Sequence, residues 1–429
     1  MGFLKRTYRL DQLDMGDTDN RTAGDRPGAL QFGIRQTMPW ADGLLMFAFT
    51  IAAAVVIFRF GFEVSKPVFT QFKPMFGDFV SFWTSSYLVL KGQAAQAYDY
   101  AVLNEIQLQM YGQGGLPFMY PPTWLLVISP AALLSYNPSA FVYEGLQALL
   151  LVIACRFLVR GRAPLWILIA FPAVIFGIMH GQNTALNTAL LAGAIAAMDR
   201  NRPVLAGILI GLLSYKPQLG ILIPIALLAG REYRVFAAAA VTTLAFAAVS
   251  WLVLGTEVWL AFFDTIGFAR EWLMSGQVPP NKYASILGWL RQFGVSNAAG
   301  TIVQAGGVIL AVGAVIWAWR SHLPLTVKAG LLVTATCLST PYLLDYDLGV
   351  LVIPALLLIC EGNRSGFLRY EKLALSAAVL GLLVSSGWGV SMTYTAIGVP
   401  AVLLFGVFAH RAYVMSIQTA EREFYPSGI

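Results

Sequence analysis

Charge is what this chain has least of. Only 12% of its 429 residues are Asp, Glu, Lys or Arg, where a water-soluble domain carries roughly 25%. A soluble globular protein is therefore excluded. Cysteine is scarce as well: Cys155, Cys337 and Cys360 each fall inside an apolar run, without paired spacing or a neighbouring histidine cluster. Neither a disulfide framework nor a zinc site is indicated. Also missing are the Gly-x-x-x-x-Gly-Lys-Ser/Thr phosphate loop, His-Glu-x-x-His and the Gly-x-Ser-x-Gly elbow, which sets aside phosphate-loop hydrolysis, zinc proteolysis and serine hydrolysis.

Apolar surface fills the space that charge leaves. Hydrophobic residues make up 58% of the chain and the mean hydropathy is +0.68. The continuous apolar runs are long enough to cross a hydrocarbon core of roughly 30 Å as helices. An outer-membrane barrel would show short alternating segments instead. The fold expected is all-α: a polytopic helical membrane protein with about twelve transmembrane helices, at 41–60, 139–158, 164–179, 184–198, 203–215, 217–230, 235–254, 300–320, 325–340, 346–360, 372–390 and 394–410. The twelve-residue run Thr123–Leu134, preceded by Pro121-Pro122 and containing Pro130, suits a re-entrant segment better than a span.

The excess of Lys and Arg over Asp and Glu, 28 against 22, reads as topology and not as a nucleic-acid footprint, because basic residues mark cytoplasmic loops. With 123–134 re-entrant, cytoplasmic segments hold 20 of the basic residues and outer segments 8; were it to cross, the balance would become 10 against 18. The layout is then a cytoplasmic tail over 1–40, a membrane domain over 41–411 and a cytoplasmic tail over 412–429. The first tail carries Lys5, Arg6, Arg9, Arg21, Arg26 and Arg35 without the apolar core of a signal peptide. Two long outer loops emerge, 61–138 and 255–299. Phe79, Val80, Phe82, Trp83, Tyr87 and Leu90 in the first, and Val258, Phe262, Phe263, Ile266, Trp272 and Leu273 in the second, recur near helical period. Each stretch is expected to lie as an amphipathic juxtamembrane helix with its rings at headgroup level.

Polar residues at membrane depth are costly and usually face a cavity or a partner. Six clusters qualify: Gly77-Asp78-Phe79, Tyr120-Pro121-Pro122, Glu144, His180-Gly181-Gln182-Asn183 with Asn187, Lys216-Pro217-Gln218, and Asp345-Tyr346-Asp347. All map to the outer side, which points to one outward-facing site. Asp78 is either a helix N-cap or a carboxylate able to take a proton from an attacking hydroxyl. Lys216 either snorkels to the headgroups or binds phosphate near the outer boundary. His180, Gln182, Asn183 and Asn187 are read as opening one helix, the asparagines on one face, where free N–H groups favour an anion. Asp345 and Asp347 form an Asp-x-Asp pattern, weighed as a cation site against helix-start capping or hydroxyl binding; the outer location favours the latter pair. Glu144 is read as a structural partner, for example of a backbone N–H. No metal and no organic cofactor is expected.

The ordered motifs Gly77-Asp78-Phe79, Leu90-Lys91-Gly92, Ala97-Tyr98-Asp99, Phe118-Met119-Tyr120-Pro121-Pro122, Gly181-Gln182-Asn183, Ala206-Gly207 and Lys216-Pro217-Gln218 resemble glycosyltransferase family 87 of the GT-C superfamily, over about residues 75–235. That family includes polyprenyl-phosphate-mannose-dependent mannosyltransferases. The resemblance implies inverting, metal-independent transfer of a hexose, by default mannose, from a polyprenyl-phosphate donor to a lipid or glycan acceptor on the outer face of a bacterial inner membrane. Asp78 would be the general base and Lys216 a donor-phosphate ligand. Gln182 and Asn183 would line the cavity, with Tyr120, Glu144, His180, Asn187, Gln218, Asp345 and Asp347 nearby. Where many relatives carry a Ser-Pro-x-Ser-Trp-like stretch with histidines, this chain reads Ser339-Thr340-Pro341-Tyr342-Leu343-Leu344-Asp345-Tyr346-Asp347, so the sugar or acceptor may differ from theirs. A transporter or flippase is the rival class. It is disfavoured because the halves show no clear repeat and the polar residues gather on one face instead of the midplane. An assembly subunit without catalysis is the third.

Overall fold

The computed structural model describes residues 38–69, 76–112, 114–274, 278, 282–385 and 398–424. The six basic residues of the first tail lie outside them. Among the described residues the secondary structure is helical, apart from one isolated antiparallel bridge between Tyr283 and Leu344.

Eighteen α-helices follow in order. The first five are α1 (Pro39–Phe69), α2 (Phe79–Leu90), α3 (Tyr100–Tyr111), α4 (Pro122–Ile128) and α5 (Tyr136–Val159). A central set comprises α6 (Ile167–Ala170), α7 (Pro172–His180), α8 (Thr184–Met198), α9 (Pro203–Leu212), α10 (Ile223–Ala229), α11 (Tyr233–Leu254) and α12 (Thr256–Met274). The last six are α13 (Ile286–Gln292), α14 (Asn297–Arg320), α15 (Leu325–Ser339), α16 (Val352–Ser365), α17 (Glu371–Ser385) and α18 (Val399–Phe424). Among the described residues the twelve apolar segments predicted to span are mainly helical, interrupted at 164–166, 171 and 220–222. Among the described residues five helices contain stretches long and apolar enough to cross a membrane: Trp40–Arg59, Tyr136–Val159, Tyr233–Leu254, Asn297–Arg320 and Val399–Ala420. Their outer faces stay apolar, with Leu252 of α11 75% exposed and Ile309 of α14 73% exposed. Such surface is unfavourable in water and natural against lipid.

Small residues bring the helices together. On α9 a Cβ at Gly207 would lie 2.4 Å from the Ala238 Cβ and 2.6 Å from the Val235 carbonyl of α11, and Gly211 meets Thr242 and Ala239 in the same way. This Gly-x-x-x-Gly spacing lets the backbones approach where lipid removes any hydrophobic drive to associate. Gly330 of α15 similarly accepts the Phe408 ring of α18.

One expectation is corrected. The α2 helix does not lie on the membrane surface. Phe79, Phe82 and Trp83 are buried, and so are Ser81, Thr84, Ser85 and Ser86, which complete the circumference. Hydroxyls make that possible: Ser81 Oγ donates to the Pro117 carbonyl (3.1 Å) and Ser86 Oγ to Ser129 (2.7 Å), so the polar side packs on backbone. By contrast α12 leaves Leu260, Phe263 and Ile266 exposed, as a surface helix would. The α18 helix continues to Phe424. The α4 helix has seven residues, about 10 Å of rise, which is far too short to cross.

The ends of α15, α16, α17 and α18 remote from the polar clusters are tied by a buried ionic knot. Arg411 donates to both Glu371 oxygens (2.7 and 2.6 Å), to Ser365 Oγ and to the Gly366 carbonyl, while Glu361 accepts from Thr326, Arg364 and Ser365. Removing one partner of such a pair strands the other charge. Arg411→Leu should therefore destabilise the protein by about 3–5 kcal/mol, read as a lowered thermal midpoint in neutral detergent. Arg411→Leu with Glu371→Leu should recover much of the loss; if the double variant is no better than the single, the stranded-charge account fails.

Candidate active site

The six polar clusters meet where helices break. Phe76, in the left-handed region at φ 59°, makes the turn into α2. Its carbonyl accepts from Tyr136 Oη (2.9 Å), and the Asp78 N–H donates to the His180 carbonyl (2.8 Å). Gly181, at φ 78°, closes α7 against this turn. A Cβ there would fall 2.7 Å from the Phe76 carbonyl and 2.8 Å from the Phe79 nitrogen, so only glycine lets the turn seat. A non-glycine residue held at positive φ costs about 1–3 kcal/mol and persists only where its surroundings enforce it.

The Asp78 side chain caps nothing: no backbone N–H of α2 donates to it. Instead Oδ2 of this half-buried carboxylate accepts from Gln182 Nε2 (2.9 Å), and Tyr120 Oη donates to Gln182 Oε1 (3.0 Å). The Gln182 amide thus bridges Asp78 and Tyr120. Tyr120 is held by Tyr98, whose hydroxyl donates to its carbonyl (3.0 Å). Gln147 fixes the Gln182 backbone by donating to its carbonyl (3.0 Å), accepts from the Leu186 N–H, and also donates to Glu144 Oε2 (2.8 Å). The partner of Glu144 is therefore a glutamine side chain one turn on, not a backbone N–H.

Beside this network lies a buried charge pair. Lys216 sits between two 3-10 turns, Leu213–Tyr215 and Pro217–Leu219, where Pro217 prevents α9 from continuing. It is 1% exposed, so it does not snorkel to the headgroups. Nζ contacts Asp347 Oδ1 at 2.5 Å, donates to Asn183 Oδ1 at 2.9 Å, and lies over the rings of Tyr346 and Tyr120 at 5.2 and 5.8 Å. Asn187 donates to the same Asn183 oxygen (3.0 Å) and accepts from Tyr215 Oη (2.6 Å). Asp347 Oδ2 accepts the Leu344 N–H (3.2 Å).

Several site expectations change in consequence. His180 ends α7 and does not open α8; its Nδ1 pairs with the Phe176 carbonyl (2.7 Å). Asn183 stands at the α8 N-cap position without capping, because its oxygen serves Lys216. The Asp-x-Asp carboxylates are engaged separately: Asp347 by Lys216, and Asp345 by the Tyr346 N–H (2.8 Å). Enclosure pushes the Asp345 carboxyl pKa upward against the opposing pull of His180 and Lys282. Among the described residues no three His, Cys, Asp or Glu side chains gather as metal ligands. Gln218 contributes its carbonyl, which accepts from Thr340 Oγ1 (3.0 Å). Sequence reasoning missed Gln147, Tyr215 and Tyr346. The signals were there in part, since Gln147 lies three residues from Glu144 and the two tyrosines adjoin Lys216 and Asp347.

An all-helical membrane protein with a half-open carboxylate among amide and phenol groups is suited to chemistry on a hydroxyl-rich substrate. The sequence model of glycosyltransferase family 87 matches residues 118–341, just over half of the chain. The protein belongs to that family and is a glycosyltransferase. The matched stretch holds Tyr120, Glu144, Gln182, Asn183 and Lys216; Asp78, Asp345 and Asp347 lie outside it. No curated protein and no solved structure matches the chain.

The pairing of Lys216 with Asp347 makes a cycle of variants informative. Lys216→Gln should cost about 3–5 kcal/mol by leaving Asp347 buried and unpaired, whereas Lys216→Gln with Asp347→Asn should restore most of the thermal midpoint. Additive losses in the double variant would rule out the buried pair.

Proposed function

We propose that this glycosyltransferase moves a hexose, by default mannose, from a polyprenyl-phosphate donor to a lipid or glycan hydroxyl, with Asp78 as general base. The observation that carries the reading is the Asp78 carboxylate: it stands at a helix start without capping it, half-open, and oriented by Gln182. A carboxylate aimed by a side-chain amide and left one oxygen free is equipped to receive a proton.

In the reaction the acceptor hydroxyl loses its proton to Asp78 as its oxygen bonds to the anomeric carbon. The bond from that carbon to the phosphate oxygen breaks on the opposite face, inverting the centre, and polyprenyl phosphate leaves with the electron pair. Tyr120 and Gln182 keep the base in line. Lys216 serves the phosphate by exchanging partners: the donor phosphate takes the place of the Asp347 carboxylate beside Nζ. The lipid tail stays in the bilayer while the sugar projects toward Asp78. The wider setting in this proposal is a GT-C-type bundle of twelve spans with both termini in the cytoplasm. The site then opens on the outer face of a bacterial inner membrane, and neither metal nor organic cofactor takes part.

The test is transfer of radiolabelled sugar from polyprenyl-phosphate mannose, and in parallel from other polyprenyl-phosphate hexoses, into membrane lipid and glycan. Asp78→Asn should lower transfer by about 10²-fold or more while the fold is retained, and Gln182→Leu by less. Full activity in Asp78→Asn sinks the base assignment. Absence of transfer from every donor by folded wild type sinks the donor class.

A further inference from the structure

The end of the bundle remote from Asp78 and Lys216 contains a feature that sugar transfer does not use. The turn from α10 to α11 and the turn from α14 to α15 lie side by side, because Gly230 accepts Trp319 at close quarters: a Cβ at Gly230 would stand 2.8 Å from the indole. Between them opens a cavity of about 1010 Å³ whose wall includes Arg231, Arg320, His322 and Lys328. α15 has fifteen residues, so about 22 Å of helix separates this cavity from the Thr340 end that adjoins the candidate active site.

Three observations define a ligand. The cavity carries four basic side chains and no acidic one; Glu232 lines the adjoining cleft, which Lys328 shares. Trp319, 5% exposed, borders the cavity, and its buried indole N–H has no hydrogen-bond partner among the described residues. An unmet buried donor costs about 1–3 kcal/mol and calls for an acceptor. Finally, Ile225, Leu228 and Ile316 continue the wall as apolar surface, Leu228 being 47% exposed. Cations clustered at the end of membrane helices, above an apolar face, attract anionic lipid.

We propose that this cavity binds an anionic glycerophospholipid of the adjacent leaflet. Its phosphate sits among Arg231, Arg320 and Lys328, an ester or phosphate oxygen accepts from Trp319, and its acyl chains run along Leu228 and Ile316. The site does not depend on the sugar donor, so its test stands apart from the transfer assay.

Native mass spectrometry of the full-length protein, released from neutral detergent and titrated with phosphatidylglycerol or with phosphatidylcholine of the same chains, reads the binding directly. Wild type should retain phosphatidylglycerol roughly 10-fold or more tightly than phosphatidylcholine. Arg231→Gln with Arg320→Gln should abolish the preference at an unchanged melting temperature. Arg231→Lys with Arg320→Lys should keep it, which separates lost charge from lost fold. Trp319→Phe should weaken phosphatidylglycerol binding about 3-fold by removing one donor. Equal retention of the two lipids by wild type, or an undiminished preference in the double glutamine variant, overturns the proposal. Displacement of the lipid by millimolar inorganic phosphate also overturns it, since the site would then recognise free phosphate and not a lipid.

Discussion

An ammonium enclosed among apolar helices must be paired, and the pairing of Lys216 with Asp347 and Asn183 organises the candidate site. Each partner stands at a different interruption: Lys216 between two 3-10 turns, Asn183 at the junction of α7 and α8, Asp347 in the 3-10 segment that leads into α16. Desolvating two charges costs several kcal/mol per ion, recovered only with good geometry and further hydrogen bonds. Those further bonds are the Leu344 N–H on Asp347 and the Asn187 amide on Asn183. The ion pair thereby fixes where three interrupted helices stand. The Asn183 backbone is continuous with Gln182, which orients Asp78, so the position of the open carboxylate follows from that of the closed pair.

The two ends of the bundle handle charge differently. At the Arg411 end, Glu371 and Glu361 are enclosed and their oxygens engaged by arginine, serine and threonine donors. That arrangement locks helices and leaves nothing for a substrate. At the other end Lys216 is closed in the same manner, but Asp78 is half-open and held by a single amide. A satisfied network rigidifies and a partly satisfied one is reactive. The asymmetry argues for stability at one end and chemistry at the other.

Much of this was legible in the sequence because lipid simplifies the rules. Continuous apolar runs must be helical where no water satisfies the backbone, and the twelve segments are mainly helical among the described residues. The candidate residues were legible for a related reason: Asp78, Tyr120, Gln182, Asn183 and Lys216 stood out as polar residues interrupting apolar runs, and the structure places them in two adjoining hydrogen-bonded networks. What periodicity could not convey was the partner of each group. An amphipathic pattern in α2 suggested a membrane surface, because Ser81, Thr84, Ser85 and Ser86 look solvent-facing until the Pro117 and Ser129 carbonyls are known to receive Ser81 and Ser86, and the Val80 carbonyl Thr84. Asp-x-Asp suggested two carboxylates acting together, although adjacent turns send one to Tyr346 and the other across the bundle to Lys216. Three-dimensional pairing at sequence separations above one hundred residues, as between Gln182 and Asp78, is invisible to local pattern.

The breaks themselves supply the last step. Pro172, Gly181, Pro217 and Pro341 interrupt what would otherwise be long helices, and each interruption frees backbone groups that lipid cannot satisfy. Irregular backbone at membrane depth is tolerated only where protein or a cavity covers it. Here the freed groups are taken up: the His180 carbonyl by Asp78 N–H, the Gln182 carbonyl by Gln147, the Gln218 carbonyl by Thr340 and the Tyr346 carbonyl by Thr184. Polar groups needed to cover broken helices thus lie in and beside the Asp78 and Lys216 networks. A bundle of unbroken helices would have no such requirement and no reason to keep polar residues at that depth. The cost of interrupting the helices and the existence of a polar pocket are therefore one structural fact.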